Sequence, residues 1–345
     1  MTPSRHAGAM RVRLTQLDGK LPNLALMKLA HWHKARGDEV HFVRSAARGM
    51  FEPPYDRVYA SAIFTGTADR VARLRVEFPD AIVGGTWSID PLTVERVIGA
   101  ESYEHHDYAL APGFTASIGF TQRGCRLKCK FCVVPAKEGK PRSVNTIADI
   151  WRGDPWPRHL HLLDNDFFGQ AEWRERAREI VDGKFKVCLN QGINVRLIND
   201  EAAAALSDMK FSDDQFKTRR LYTAWDNLKD EAIFFRGVAT LERHGIRPSS
   251  LLVYMLVGFD PTETWARVMH RFNRMAELGI RPYPMVYGSR AKTLPLGGHN
   301  QRIGHRTLGE FQRWVIRKAY NFVPFADYDV NARGRADTRQ MEFAA

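Results

Sequence analysis

Between residues 114 and 290, six short runs rich in aliphatic, aromatic and β-branched residues alternate with longer segments of helical spacing, and few folds accommodate such a pattern. The runs at 117–121, 159–163, 186–190, 220–224, 251–258 and 283–287 are short enough for buried strands. The segments 170–181, 200–207, 230–244 and 262–278 carry the 3–4 residue apolar period of a helix. Gly245 and Gly279 follow two of these helices, where a residue tolerant of positive φ closes the last turn. Strand–helix alternation implies parallel pairing. Six β/α units imply a partial barrel whose working face lies at the C-terminal strand ends.

The preceding stretch, 1–113, alternates in the same way. Strands are expected at 11–17, 39–44, 56–64 and 81–83. Helices are expected at 22–36, with Leu24, Met27, Leu29 and Ala30 on one side, and at 68–78. This predicts an α/β, Rossmann-like doubly wound domain. Residues 1–10 read as a short loose lead-in without a signal-peptide core, with Met10 opening the ordered chain. The third region, 291–345, starts with a basic loop holding Arg290, Lys292, Arg302 and Arg306 at or near its edges. A helix over 308–321 follows, presenting Phe311, Trp314, Val315 and Ala319, and a polar tail without expected order ends the chain. No apolar run approaches the ~20 residues of a spanning helix, so no membrane association is expected.

Three of the four cysteines fall within the run GFTQRGCRLKCKFC, as Cys125-x3-Cys129-x2-Cys132 on a loop after the first strand of the second region. This crowding indicates metal chemistry in a reducing cytoplasm rather than a disulfide framework. Soft thiolates select iron–sulfur clusters, zinc or copper(I), and three ligands leave a four-iron cluster one open position. The alternative is a structural zinc knob with a histidine such as His105 or His106 as fourth ligand, but no second cysteine pair follows. Cys188, within the apolar KFKVCLN, reads as a small buried core residue. The net charge of +12 concentrates near the triad: residues 123–142 hold Arg123, Arg126, Lys128, Lys130, Lys137, Lys140 and Arg142 against Glu138 alone. A polyanionic partner fits such a field.

On this cysteine spacing, the aromatic Phe131 before the last cysteine and the six-unit β/α pattern, residues 114–290 resemble the radical S-adenosylmethionine (SAM) superfamily. The resemblance implies that Cys125, Cys129 and Cys132 ligate a [4Fe–4S] cluster while the amino and carboxylate groups of SAM chelate its fourth iron. It also implies an external electron donor and reductive cleavage of SAM to a deoxyadenosyl radical. Further residues are then expected around SAM. Asp164, Asn165 and Asp166 stand where the superfamily has a Gly-Gly-Glu-like segment, without its glycines. Gln191, after the third strand, belongs to the SAM site, Arg196 faces the SAM carboxylate, and Asp226 the ribose. Gly258, in LVGF ahead of Glu263, and Tyr287 lie against the adenine. The first domain resembles more loosely the cobalamin-binding domain preceding many such barrels, with Gly84-Gly85-Thr86 at the Gly-rich turn. No Asp-x-His…Gly signature is present, and a domain serving packing or substrate is favoured over cobalamin.

The leading expectation is therefore a radical SAM enzyme, isomerase or transferase, acting on nucleic acid or a nucleotide-like substrate. The short two-domain layout and the RGC…KCKFCVVPAKEG run are similar to phage-type radical SAM proteins that modify DNA bases. The alternatives are a cobalamin-dependent radical SAM methyltransferase for a small molecule or peptide, and a non-catalytic, zinc-stabilised nucleic-acid-binding protein.

Overall fold

A computed structural model describes residues 8–87, 92–100 and 103–330. The expected lead-in therefore lies mostly, and the expected polar tail entirely, outside the described residues. Two compact units result, one within Met1–Ile118 together with Cys132–Gly139, the other within Gly119–Phe131 together with Lys140–Ala345. The division falls inside the cysteine loop, between Phe131 and Cys132. The helix of the C-terminal region belongs to the second unit.

In the first unit the chain runs β1 (Arg11–Gln16), α1 (Leu24–Ala35), β2 (Glu39–Val43), β3 (Arg57–Ser61), α2 (Ala68–Glu77), β4 (Ile82–Gly84) and α3 (Val94–Ile98). The strands form one parallel sheet in the order β2-β1-β3-β4. The period of two along each strand supplies both faces. Val12 and Leu14 of β1 and Tyr59 of β3 pack with Leu26, Leu29 and Ala30 of α1. Val58 and Ala60 of β3 pack with Val71 and Leu74 of α2 on the other side. Helix α1 begins later than Pro22 because Asn23 caps it, its side chain accepting from the Leu26 amide at 3.2 Å. Strand β3 stops at Ser61, short of residue 64, because the Asp18 carboxylate captures the amides of Ile63 and Phe64 at 2.8–2.9 Å.

The chain continues through β5 (Ser117–Gly119), β6 (Gln122–Arg123), α4 (Val134–Glu138, part of the first unit), β7 (Arg142–Ser143), α5 (Ile147–Ile150), β8 (His159–Leu162), α6 (Trp173–Asp182), β9 (Lys186–Leu189), α7 (Asp200–Asp208), β10 (Lys210–Phe211), β11 (Leu221–Ala224), α8 (Glu231–Arg243), β12 (Leu251–Val257), α9 (Trp265–Glu277), β13 (Arg281–Val286) and α10 (Leu308–Ile316). All six expected strands of this region are present. They divide between a four-stranded sheet, β10-β9-β8-β5, and a three-stranded one, β11-β12-β13. The sheets meet where the Ile193 amide donates to the Tyr222 carbonyl at 2.8 Å. Gly192, at φ +82°, permits that approach, since a Cβ there would lie 2.9 Å from the Tyr222 carbonyl oxygen. The short β10 and the antiparallel pair β6–β7 were not signalled by hydrophobic period, being two residues each.

Leu160, Leu162, Val187, Leu189, Leu221, Val253, Met255 and Val257 share one strand face and one apolar core with the helices. Phe311, Trp314 and Val315 of α10 join that core. Helix α10 ends at Ile316 rather than 321 because Lys318 takes a left-handed backbone, φ +54°, after which Ala319–Asn321 forms a single 3₁₀ turn.

Candidate cysteine-loop site

Gly124, at φ +80°, turns the chain out of β6 and into the cysteines. Cys125, Cys129 and Cys132 are all half-buried, and none of the four cysteines is in a disulfide. The Leu127 amide lies 3.4 Å from Cys125 Sγ.

Two carboxylates from the Leu163-Asp164-Asn165-Asp166 turn after β8 fix the stem of this loop. Asp164, 4 % exposed, accepts the Thr121 amide at 2.7 Å, the Gln122 amide at 3.1 Å and the Thr121 hydroxyl. Burial pushes its carboxyl up to about 6 against the pull of these donors. Asp166 takes Arg126, between the first two cysteines, through Nε at 2.7 Å and Nη2 at 2.9 Å. This fork holds the guanidinium above its usual basicity. Gln122, fully buried, accepts the Asp166 amide at 3.1 Å and donates to the carbonyls of Arg123 and Gly124 at 2.8 and 2.7 Å. Gln170 adds a bond to the Thr121 hydroxyl at 3.0 Å. Asp164 and Asp166 were expected to face SAM; the structure spends their side chains on the loop. Asn165 between them is half-buried.

The far end of the loop meets the ends of β12 and β13. Phe131 packs edge-on against Phe259 at 5.4 Å between centroids, and Phe259 against Tyr287 at 4.9 Å. Phe131, Gly258 and Tyr287, separated by up to 156 residues in sequence, thus share one neighbourhood. Gly258 has φ +87°, and its amide donates to Glu263. Buried Glu263 is ion-paired to buried Arg271 of α9, whose guanidinium also donates to the carbonyls of Trp225, Asp226 and Leu256 at 3.0–3.1 Å. Burial raises the Glu263 carboxyl and lowers the Arg271 guanidinium. Arg271 therefore ties the C-terminal ends of β11 and β12 to one helix. Its one sequence signal is an arginine on the α9 face that also carries Val268, Phe272 and Met275.

The remaining expected SAM contacts are distributed more loosely. Asp226 accepts the Leu256 amide at 3.0 Å, and burial raises its carboxyl. Arg196 pairs with Asp230 at 2.7 Å and bonds Asn194 at 3.2 Å. Gln191 is exposed, whereas Asn190 accepts from or donates to His161 at 2.9 Å. Cys188 is fully buried, as expected, with a thiol raised by desolvation. It alternates, however, with Val187 and Leu189 and so lies on the opposite strand face from the helices, in register with His161. In the first unit, His105 stacks on His31 at 5.1 Å, and burial lowers His106 to about 4. Gly85, at φ +106°, has its carbonyl bonded by Lys137 of α4, and a Cβ there would overlap the Ala62 carbonyl oxygen at 1.8 Å.

The expected basic loop is largely committed within the fold. Arg302 pairs with Asp327, Arg306 with Glu310, and Lys292 bonds the Gly258 carbonyl at 3.0 Å. Lys128, Lys130 and Lys140 are exposed and form no ion pair among the described residues.

Among the described residues no group of three or more His, Cys, Asp or Glu side chains is gathered closely enough to hold a metal ion. The cysteine loop nevertheless fits a thiolate-held cluster in the kind, number and accessibility of its donors. No helix among the described residues is long and apolar enough to cross a membrane. Comparison with protein-family models, curated proteins and solved structures returns no match.

Proposed function

We propose that this chain is a radical SAM enzyme acting on nucleic acid or a nucleotide-like substrate. In this reading the first unit is a Rossmann-like domain and the second a partial β/α barrel. The observation that carries it is the cysteine loop: three accessible cysteines follow a strand of an α/β unit, and buried Asp164, Asp166 and Gln122 hold the stem of that loop. A zinc knob would need no such support from a second strand end.

Cys125, Cys129 and Cys132 would hold a [4Fe–4S] cluster, which together with SAM supplies one-electron reductive cleavage to a deoxyadenosyl radical. The chain's own residues do the positioning. Asp164 and Asp166 fix the loop at Thr121, Gln122 and Arg126. Arg126, Lys128 and Lys130 set three positive charges beside the thiolates and offset part of their charge. Phe131, Phe259 and Tyr287 offer an aromatic wall suited to an adenine face. Asp226, anchored by Leu256, offers a carboxyl to a ribose, and Arg196 retains donors beyond those used by Asp230 and Asn194. Exposed Lys128, Lys130 and Lys140 favour an anionic substrate.

Anaerobic reconstitution with iron and sulfide tests the cofactor half. The expected product is brown, with about four irons per chain and a reduced-cluster EPR signal that changes on adding SAM. A colourless protein carrying one tightly held zinc would overturn the reading.

A further inference from the structure

In the first unit, part of the positive charge that forms no ion pair lies at the C-terminal edge of the parallel sheet. An open cleft there is lined by Ser45, Ala46 and Ala47, from the loop after β2, and by Arg70 and Arg73 of α2. Arg70 donates to the Arg44 carbonyl at 2.9 Å, joining the helix to the loop. Arg48, Arg70 and Arg73 are all exposed, and among the described residues none forms an ion pair, not even with Asp69 or Glu77 of α2. Lys28, Lys34, Arg11 and Arg13 of the same unit are each matched to a carboxylate, whereas Arg36, Arg57, Arg75 and Arg96, away from this cleft, also form no ion pair among the described residues.

The loop that forms the cleft is held from beneath. Arg13, fully buried on β1, donates to the Ser45 and Ala47 carbonyls at 3.0 and 3.1 Å and pairs with Glu52 at 3.1 Å. Its guanidinium lies 4.6 Å from the Phe78 ring centroid, and that of Arg48 lies 5.0 Å from the same ring. Glu52 also accepts the Gly49 amide at 2.7 Å. The loop is thus pre-organised at both ends, yet its tip presents Met50 and Phe51 at 90 and 94 % exposure, immediately after Arg48 and Gly49.

Two guanidinium groups in a cleft, with a third on the adjoining loop, match neighbouring phosphates, and an exposed aromatic on that braced loop offers a face on which an unpaired base stacks. Parallel sheets bind ligands at this strand edge. We propose that the first unit binds single-stranded nucleic acid here, with Arg48, Arg70 and Arg73 on the phosphates and Phe51 under a base. This rests on the nucleic-acid part of the proposed function and assigns that contact to the first unit.

The test is fluorescence anisotropy of a labelled 16-nucleotide oligo(dT) with the full-length chain across a salt series. Wild type should bind with a linear log–log salt dependence. Arg70→Glu/Arg73→Glu should weaken binding at least tenfold and flatten the slope by about 1.4, two contacts at about 0.7 each. Phe51→Ala should weaken binding about 5- to 160-fold with the slope unchanged. Arg236→Glu, an exposed arginine on α8, should bind as wild type. An oligo(rU) arm shows whether the sugar matters; preference for either strand supports the proposal. Tighter binding to a duplex overturns the single-strand assignment. Wild-type binding by the double variant, or no binding of any oligonucleotide, overturns the proposal. Deoxyadenosine formation separates it from the broader reading. If oligonucleotide stimulates turnover equally in wild type and the double variant, the substrate class stands and this surface is refuted. If the double variant loses binding but oligonucleotide never affects turnover, the surface stands and the substrate class fails.

Discussion

Replacing Asp164 by Asn isolates the electrostatics of the loop stem. Asp164 is buried under two backbone amides and a hydroxyl, and its carboxyl sits at about 6 against an ordinary 3.8. Because the folded carboxyl keeps its proton to higher pH than the unfolded one, its contribution to stability is full below pH 3.8. It is lost as pH rises through about 6. That interval is worth at most about 3 kcal/mol. Asn cannot titrate, so the other groups cancel in the difference between the two proteins. Urea unfolding of the metal-free chain at half-unit steps from pH 4 to 7 should show wild type losing about 2–3 kcal/mol relative to Asp164→Asn, most of it between pH 4 and 6. A difference that stays flat, or that favours wild type as pH rises, would refute the argument. It would mean that the three donors, rather than burial, set the ionisation of this carboxyl.

Other substitutions probe the rest of the site. Cys129→Ala should lose bound iron and visible absorbance together, whereas Cys188→Ala should keep both; iron loss in the second variant would remove Cys188 from its structural role. Arg271→Met leaves Glu263 buried without its cation and should cost about 3–5 kcal/mol in urea unfolding at pH 7. Adding Glu263→Gln should recover part of that cost, and a single variant as stable as wild type would show the pair to be solvated. Gly258→Ala forces a Cβ to 2.7 Å from Leu308 Cδ1 at φ +87°, and about 1–3 kcal/mol of destabilisation is expected. Leu308→Ala in that background should relieve the contact but not the backbone strain, which double-mutant unfolding measures.

The strands and helices were legible because their periods were. Val12 and Leu14 alternate with Arg13 and Thr15, and Val268, Phe272 and Met275 recur at helical spacing. Gly245 and Gly279 marked helix ends because only their positive φ closes those turns without strain. Boundaries slipped where a side chain took over a backbone partner, as Asp18 does beyond β3 and Asn23 before α1. The cysteines announced themselves by spacing, but their supports did not. Asp164 and Asp166 mark the right turn, yet nothing in one dimension says that they bond Thr121, Gln122 and Arg126 some 40 residues upstream. The C-terminal arginines read as a basic loop because charge counts do not show that Asp327 and Glu310 neutralise them. Conversely, Arg70 and Arg73 meet the 45–47 loop, some 25 residues upstream, only in the fold.

Turnover of SAM tests the proposed chemistry most directly. The reconstituted full-length protein, incubated anaerobically with SAM and dithionite, should release 5′-deoxyadenosine and methionine in equal amounts, and single-stranded DNA should raise the yield. Protein carrying a full iron load that forms no deoxyadenosine, with or without nucleic acid, would contradict the central claim.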